Sequence, residues 1–510
     1  MAGTFLNNLG DLTDRTQDPS KPAVIDASKS TASEVVTHGQ LDALCDGIAR
    51  TLANCGLARG ARVAVLSANR LEYLAVYLGI MRAGMVAVPV NFRAPQAIIE
   101  HIIGDSGAEF AFCDGERRSQ VPTGLRVINF DSTASDGFAA WLDEGRFQSV
   151  APLDNEPAMF LYTSGSTGSP KGVVLSHRSH IWVTRNRIGS SDFRPHRVLI
   201  AAPLYHMNAL STSVAVLAGH GTIVMLPRFV AKDYLRAIER YVCTWLTGVP
   251  PMIAMALQEK DTLRTIDTTR VRFIRLGSAP LSSEIASGAK EQFPNASISN
   301  VYGSTEAGPV IFAPHPHRIA QPLTSVGCRH PEVKIRLVDG DRLDVEEGEL
   351  QVNGPGLMNG YHNQPDRTAE VMTNDGYYQS GDLMRRDNDG FYYFIGRVDD
   401  MFVSGGENIF PRQVETLLEE YPGVAQACVV PVPDAVKGAK PFAFVVLHPG
   451  ASVSTDQLKE YALLHRPAYQ HPRHLQFLQE LPLSSTGKID RKSLIDQARA
   501  IVGQNALGRD

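Results

Sequence analysis

Hydrophobic periodicity switches repeatedly between two registers along the first half of the chain. Leu41, Leu44, Ile48 and Leu52 recur at helical spacing, which predicts a helix over 40–53. Arg62-Val63-Ala64-Val65-Leu66 follows and reads as a short buried strand. Helical spacing returns over 71–83, and strand character returns over 85–90. The alternation recurs around Ala201, over 222–226 and over 273–276. Strands alternating with helix-length segments predict parallel sheet with crossover helices.

Near Ser325 the texture changes. Short β-like runs over 334–338, 348–352 and 391–395 sit between Gly, Asp and Asn turns, which predicts a small antiparallel barrel or sandwich up to about Gly396. Beyond Arg397 come a glycine-rich loop, a helix-like run over 411–420 and strands over 427–430 and 442–447. That is a compact α+β unit.

Composition narrows the function classes. Hydrophobic residues make up 43% and charged residues 20%, which are ordinary globular values. A net charge of −5 over 510 residues gives no basis for nucleic-acid or anionic-membrane binding. The six cysteines are scattered and form no C-x-x-C pair, so neither a disulfide framework nor a zinc signature is present, and reduced, mostly buried thiols are expected. No secretory signal and no membrane-length apolar run is visible. A cytoplasmic enzyme is the expectation; a homodimer is one admissible assembly.

The strongest local chemistry lies in residues 163–171. Thr163, Ser164, Gly165, Ser166, Thr167, Gly168 and Lys171 follow the apolar run 158–161. Glycines let backbone N–H groups converge on an anion, the hydroxyls add donors, and Lys171 adds a mobile charge. This is not a Walker A loop, because Lys171 follows Ser169-Pro170 and precedes Gly172. By composition alone a flexible Gly/Ser linker is the commoner identity. The embedded Pro-Lys-Gly and the upstream strand favour a polyphosphate loop.

Further segments follow in order: Pro203-Leu204-Tyr205-His206-Met207-Asn208, Tyr302-Gly303-Ser304-Thr305-Glu306, Tyr378-Gln379-Ser380-Gly381-Asp382, Gly396-Arg397-Val398-Asp399-Asp400 and Ser485-Thr486-Gly487-Lys488-Ile489-Asp490-Arg491. With the 163–171 loop, this succession resembles the adenylate-forming superfamily of acyl-CoA synthetases, peptide-synthetase adenylation domains and luciferases. The resemblance spans nearly the whole chain. It implies an α/β fold with a large N-terminal domain, residues 1–396, of two parallel α/β subdomains plus a small β-barrel. A small mobile α+β C-terminal domain, residues 397–510, follows with its hinge at Asp399.

The same resemblance implies a reaction. A carboxylate attacks the α-phosphate of ATP, and coenzyme A then displaces AMP. Residues 163–171 would hold the β- and γ-phosphates, Thr305 the α-phosphate and Glu306 a Mg²⁺ ion, a hard cation suited to carboxylate oxygen. Gly277, Ser278, Ala279, Pro280, Tyr302 and Gly303 would border the adenine. Asp382 and Arg397 would face the ribose. Lys488 would lie between substrate carboxylate and α-phosphate. Ser404, Gly405, Gly406 and Glu407 would border the coenzyme A arm. Three departures touch the fine shape of these surfaces: Tyr377 replaces a common Trp, Ser380 a common Thr, and Phe402-Val403 a common Ile-Lys or Ile-Ile.

For the acid, the resemblance places His206 beside the reacting carboxyl. Met207, Asn208, Leu246, Val249, Pro250, Gly277, Tyr302 and Gly303 would complete the pocket. Asn208 is its one obvious polar contact, which suits an aromatic or medium-chain acid better than a dicarboxylate. Arg185 and Arg187 could hold a second carboxylate, although helix arginines are more commonly exposed. A stand-alone adenylation enzyme loading an acyl or aminoacyl group onto a carrier protein is the alternative. Its aminoacyl form usually needs an Asp near the pocket, and 204–218 contains none. A luciferase-like oxygenase shares the motifs. A non-catalytic nucleotide-binding protein is disfavoured by intact Lys488, Glu306 and Asp382.

Overall fold

The computed structural model describes residues 6–27, 34–135, 137–163, 169–279, 281–404, 407–434, 436–465, 467, 470–484 and 488–507. Two mostly parallel sheets form the bulk of the large unit. One runs in the order Ser297–Val301, Phe273–Gly277, Trp245–Gly248, Arg197–Ile200, Thr222–Met225, Pro22–Asp26 and Glu34–Thr37. Its first six strands pair in parallel and the last is an antiparallel edge. The other runs Gly360–Tyr361, Lys171–Ser176, Pro157–Thr163, Val86–Pro89, Arg62–Leu66, Ala108–Cys113 and Arg126–Asn129. The first two of these strands are antiparallel additions to a parallel core.

Continuous apolar strands such as Arg62–Leu66 are buried on both faces, as parallel sheet requires. Helix Leu71–Arg82 is buried along nearly its whole circumference. It packs on helix His38–Asn54 so closely that a Cβ at Gly79 would stand 2.5 Å from Ile48 Cγ2. Glycine at 79 is what brings the two helices together.

The expected barrel is a seven-stranded antiparallel sheet: Phe312–Ala313, Gly327–Arg329, Phe391–Arg397, Tyr378–Arg386, Glu347–Asn353, Lys334–Asp339 and Arg342–Leu343. Among the described residues its pairing is an open path, with the first and last strands not joined.

The C-terminal unit pairs strands Val424–Asp434 and Gly438–Leu447, with His474–Leu478 parallel to the latter. Helices Pro411–Glu419 and Arg491–Leu507 pack on strand Val424–Asp434. Buried Glu415 receives Arg491 at 2.6 Å, and Arg412 pairs with Glu419 at 2.9 Å. The six cysteines are free thiols, five of them buried. Among the described residues no helix is long and apolar enough to cross a membrane.

Candidate active site

The expected phosphate loop connects two antiparallel neighbours, Pro157–Thr163 and Lys171–Ser176, whose register sets Thr163 opposite Lys171. Ser164 to Gly168 lie outside the described residues. The loop's two ends are tied to residues far along the chain. The Thr163 hydroxyl lies 3.5 Å from Glu306 Oε1, and the Tyr361 hydroxyl donates to the same oxygen at 3.2 Å. Lys171 Nζ sits over the Tyr361 ring, 4.4 Å from its centroid. Burial lowers the Lys171 pKa, partly opposed by the Glu306 carboxylate. Tyr361 lies outside every motif noted above, and a lone tyrosine in a two-residue strand carries no sequence signal.

A second cluster gathers around buried Asp382. Its Oδ1 accepts from Arg397 Nη1 at 2.9 Å, and its Oδ2 accepts a short hydrogen bond from the Tyr302 hydroxyl. Gly381 makes this possible: it adopts φ +67°, and a Cβ there would stand 2.9 Å from Arg397 Nη2. Arg397 Nη2 also reaches Asp399 Oδ2 at 3.4 Å. Burial raises the Asp382 pKa, against the pull of Arg397, the Tyr302 hydrogen bond and Lys488.

Lys488 reaches the large unit from a hook in the C-terminal one. Asp490 N–H donates to Pro482 C=O, and Ser484 N–H donates to Lys488 C=O. Arg491 then anchors the hook by donating to Val429 C=O and to Glu415. Lys488 is exposed as a residue, and desolvation of its ammonium against the large unit lowers its pKa. Asp382 and Glu306 pull the pKa up and Arg397 pushes it down, so the ammonium lies within electrostatic reach of all three. Ser485, Thr486 and Gly487 lie outside the described residues.

His206 precedes helix Met207–Ala218 in a segment pinned by buried Asn69, which accepts from Leu204 N–H and donates to Ala202 and Leu226 carbonyls. Its imidazole packs on Tyr205, ring centroids 4.5 Å apart, and Nε2 is buried without a hydrogen-bond partner. Burial pushes its pKa down to about 3, helped by the charges of Lys488 and Arg93. His206 is therefore neutral, and it lies within electrostatic reach of Lys488.

Asn208, two residues on, approaches Ser278 Oγ at 3.5 Å. Ser278 adopts φ +65°, a strained setting for a non-glycine residue just beyond strand Phe273–Gly277. Met207, Leu246 and Val249 are buried in the core beside it; Gly303, Ala279 and Thr305 are half-buried. Pro280, Gly405 and Gly406 lie outside the described residues, while Ser404 is buried and Glu407 exposed.

One expectation is corrected. Arg187 is not an exposed helix arginine. It is 4% exposed, and donates to Ser211 at 3.0 Å and Thr212 at 3.2 Å. Arg185 instead donates to Leu6 C=O. Arg275 was not anticipated, although an arginine inside the otherwise apolar strand Phe273–Gly277 is a readable signal.

Comparisons with known proteins give the family. Residues 13–362 match the model of the AMP-binding enzyme family, and residues 413–488 match the AMP-binding enzyme C-terminal domain. The chain is 32% identical to a sulfoacetate–CoA ligase of Cupriavidus necator, over 94% of this chain and 96% of that protein. It is 33% identical to a feruloyl-CoA synthase of an Amycolatopsis species, over 89% and 92%. ATP-bound MatB from Rhodopseudomonas palustris superposes with a TM-score of 0.86 at 27% identity, covering 97% of this chain and 99% of that one. The chain belongs to the adenylate-forming AMP-binding enzyme family, in its branch of acid–thiol ligases.

Proposed function

We propose that this chain is an ATP-dependent carboxylic acid–CoA ligase whose first half-reaction runs in the domain arrangement described above. The observation that carries the reading is the position of Lys488, brought by the C-terminal unit to Asp382, Glu306 and His206 of the large unit. Carboxylate and polyphosphate repel each other, so a cation between them stabilises the transition state more than either reactant. Lys488 fills that role. A carboxylate oxygen attacks the α-phosphorus, the bond to pyrophosphate breaks, and acyl-AMP results.

The remaining roles follow from position. Thr163, Lys171 and the residues between them hold the β- and γ-phosphates, and Thr305 approaches the α-phosphate. Asp382 takes the ribose hydroxyls, because each of its oxygens keeps a second lone pair beyond its bonds to Arg397 and Tyr302. Gly277 to Pro280, with Tyr302 and Gly303, border the adenine. Glu306 fits Mg²⁺: its carboxylate approaches Thr163 at the start of the phosphate loop and acts on the charge of Lys171 at its end, and Mg²⁺ commonly takes one or two carboxylates with phosphate oxygens and water. Bound there, the ion would offset phosphate charge. His206, neutral with Nε2 open, orients the acid's carboxyl.

In the second half-reaction the coenzyme A sulfur attacks the acyl carbon and AMP leaves. Asp399 is the pivot that turns the C-terminal domain, residues 397–510, so that Ser404 to Glu407 replace Lys488 at the site. Buried Met207, Leu246 and Val249 suit an acid with an aromatic or medium-length apolar body. Loading of an amino acid onto a carrier protein is disfavoured, because the charges placed near Asn208 among the described residues are the arginines 187 and 275 rather than a carboxylate for the ammonium.

The test is pyrophosphate release with ATP, coenzyme A and a panel of benzoates, cinnamates and short to long fatty acids, with the product identified by mass. An acyl-CoA formed in step with AMP is expected. Pyrophosphate release with no thioester would overturn the reading.

A further inference from the structure

Two arginines, buried Arg187 and half-buried Arg275, lie below the mouth formed where Asn208 approaches Ser278. Thr212 is one helical turn beyond Asn208, and so on the same face of helix Met207–Ala218. Arg187 reaches that face from helix His177–Ser190, donating to Ser211 and Thr212. Arg275 sits two residues before Gly277 and so shares its face of strand Phe273–Gly277. A helical turn is about 5.4 Å and two strand residues about 6.6 Å, so both arginines lie one layer below the mouth.

Neither has a counter-charge among the described residues. The Arg187 Nε is buried without a partner. Among the described residues no carboxylate pairs with Arg187, and its one charged neighbour is Arg275. Arg275 has no hydrogen bond or ion pair with any described residue. Burial lowers the pKa of both, that of Arg275 to about 10. A buried cation without a partner is expensive, and an arginine does not relieve the cost by losing its proton at neutral pH. Arg187 is in that position, and half-buried Arg275 beside it adds a second positive charge open to a ligand.

We propose that Arg187 and Arg275 form a subsite for a second anionic group, carboxylate or sulfonate, at the far end of the acid substrate. This rests on the ligase reading above and sharpens it. The reacting carboxyl lies at His206 and Lys488, the body passes Met207 and Asn208, and the distal anion meets the two guanidinium forks. The geometry favours a spacer of a few carbons or one ring. It reverses the expectation, drawn from Asn208 as the one polar contact, that a dicarboxylate fits poorly.

The test compares pyrophosphate release from the full-length enzyme with matched acid pairs: butanoate against succinate, pentanoate against glutarate, benzoate against 3-sulfobenzoate. The wild type should prefer the dianion of at least one pair in kcat/KM. In R275M the dianion-to-monoanion ratio should fall by about a hundredfold, mostly through KM, because a buried charged contact is lost. R275K should recover part of that ratio, since it keeps the charge without the fork. If the wild type prefers the monoanion of every pair, or R275M slows both members equally, the subsite is overturned while the ligase reading stands. If no acid of any class releases pyrophosphate, the ligase reading fails and takes the subsite with it.

Discussion

Arg82 and Arg187 are both buried helix arginines, and their surroundings are opposite. Arg82, 1% exposed, donates to Asp46 at 2.6 Å, to Asp42 at 3.0 Å and to Gly10 C=O at 3.1 Å, with Asp11 nearby. Neighbouring carboxylates and the Cys45 thiol outweigh burial and raise its pKa. Arg187 meets two hydroxyls and a second cation, and its pKa is lowered. Burial alone therefore does not separate structural from functional arginines; the supply of counter-charge does. Where the chain provides the carboxylates, the cation holds the fold together. Where it does not, the anion must come from outside.

Lys488 belongs with Arg187, because desolvation lowers its pKa while the carboxylates near it, Asp382 and Glu306, are residues of the proposed site. Lys488→Ala should therefore reduce acyl-AMP formation by about a hundred- to a thousandfold, the scale of losing one transition-state partner. Its stability should stay within about 0.5 kcal/mol of wild type, as for an exposed substitution. Thioester formation from supplied acyl-AMP should be largely spared. Wild-type pyrophosphate exchange in this variant would break the grouping.

Arg397 stands between the two classes, since its carboxylate partners Asp382 and Asp399 are themselves site residues. Asp399→Pro removes one partner and fixes φ at the proposed pivot. It should stop thioester formation while acyl-AMP still forms. Single-turnover measurement of each half-reaction checks this, and equal loss in both would show that residue 399 is not a pivot.

The contrast is sharpest in stability. Arg82→Met strands buried Asp46 without its cation, while Asp42 keeps Arg15, and should cost about 3–5 kcal/mol. Arg187→Met removes a cation that has no counter-charge and should cost less than about 1 kcal/mol, or stabilise the fold. Urea unfolding of both variants makes the comparison. A loss at Arg187 as large as that at Arg82 would mean that Arg187 is structural after all.

These differences were only partly legible in the chain. The strand Arg62–Leu66 was readable to its ends because a run buried on both faces leaves nothing ambiguous. The motif residues Asp382, Glu306 and Lys488 were readable because their order is distinctive, and the fold gathers them as expected. Helix His177–Ser190 was not: its arginines and histidines interleave with Ile181 and Val183, so no polar face stands out and only tertiary packing decides that Arg187 is inside. The Glu284–His448 ion pair between the units was equally hidden, since it joins two unremarkable surface positions through the domain arrangement.

Histidine offers the smallest and cleanest test of the counter-charge rule, because it can do what arginine cannot. His180 is 3% exposed, its Nε2 has no partner, and burial pushes its pKa down to about 4. His177, also buried, is pushed down to about 4 for the same reason, with nearby Glu156 opposing. Both resolve the absence of an adequate counter-charge by shedding the proton. A folded pKa below the unfolded value of 6.5 means that the unfolded chain binds protons first as pH falls. Stability is therefore full above pH 6.5 and declines toward pH 4. Between pH 7 and pH 5 each histidine should cost about 2 kcal/mol. His180→Gln should flatten the pH dependence of the urea midpoint by about that amount, and a slope identical to wild type would show that His180 keeps its proton when folded. Arg187, about two turns further along the same helix, has no such exit at these pH values, and that is why its missing anion points to a ligand.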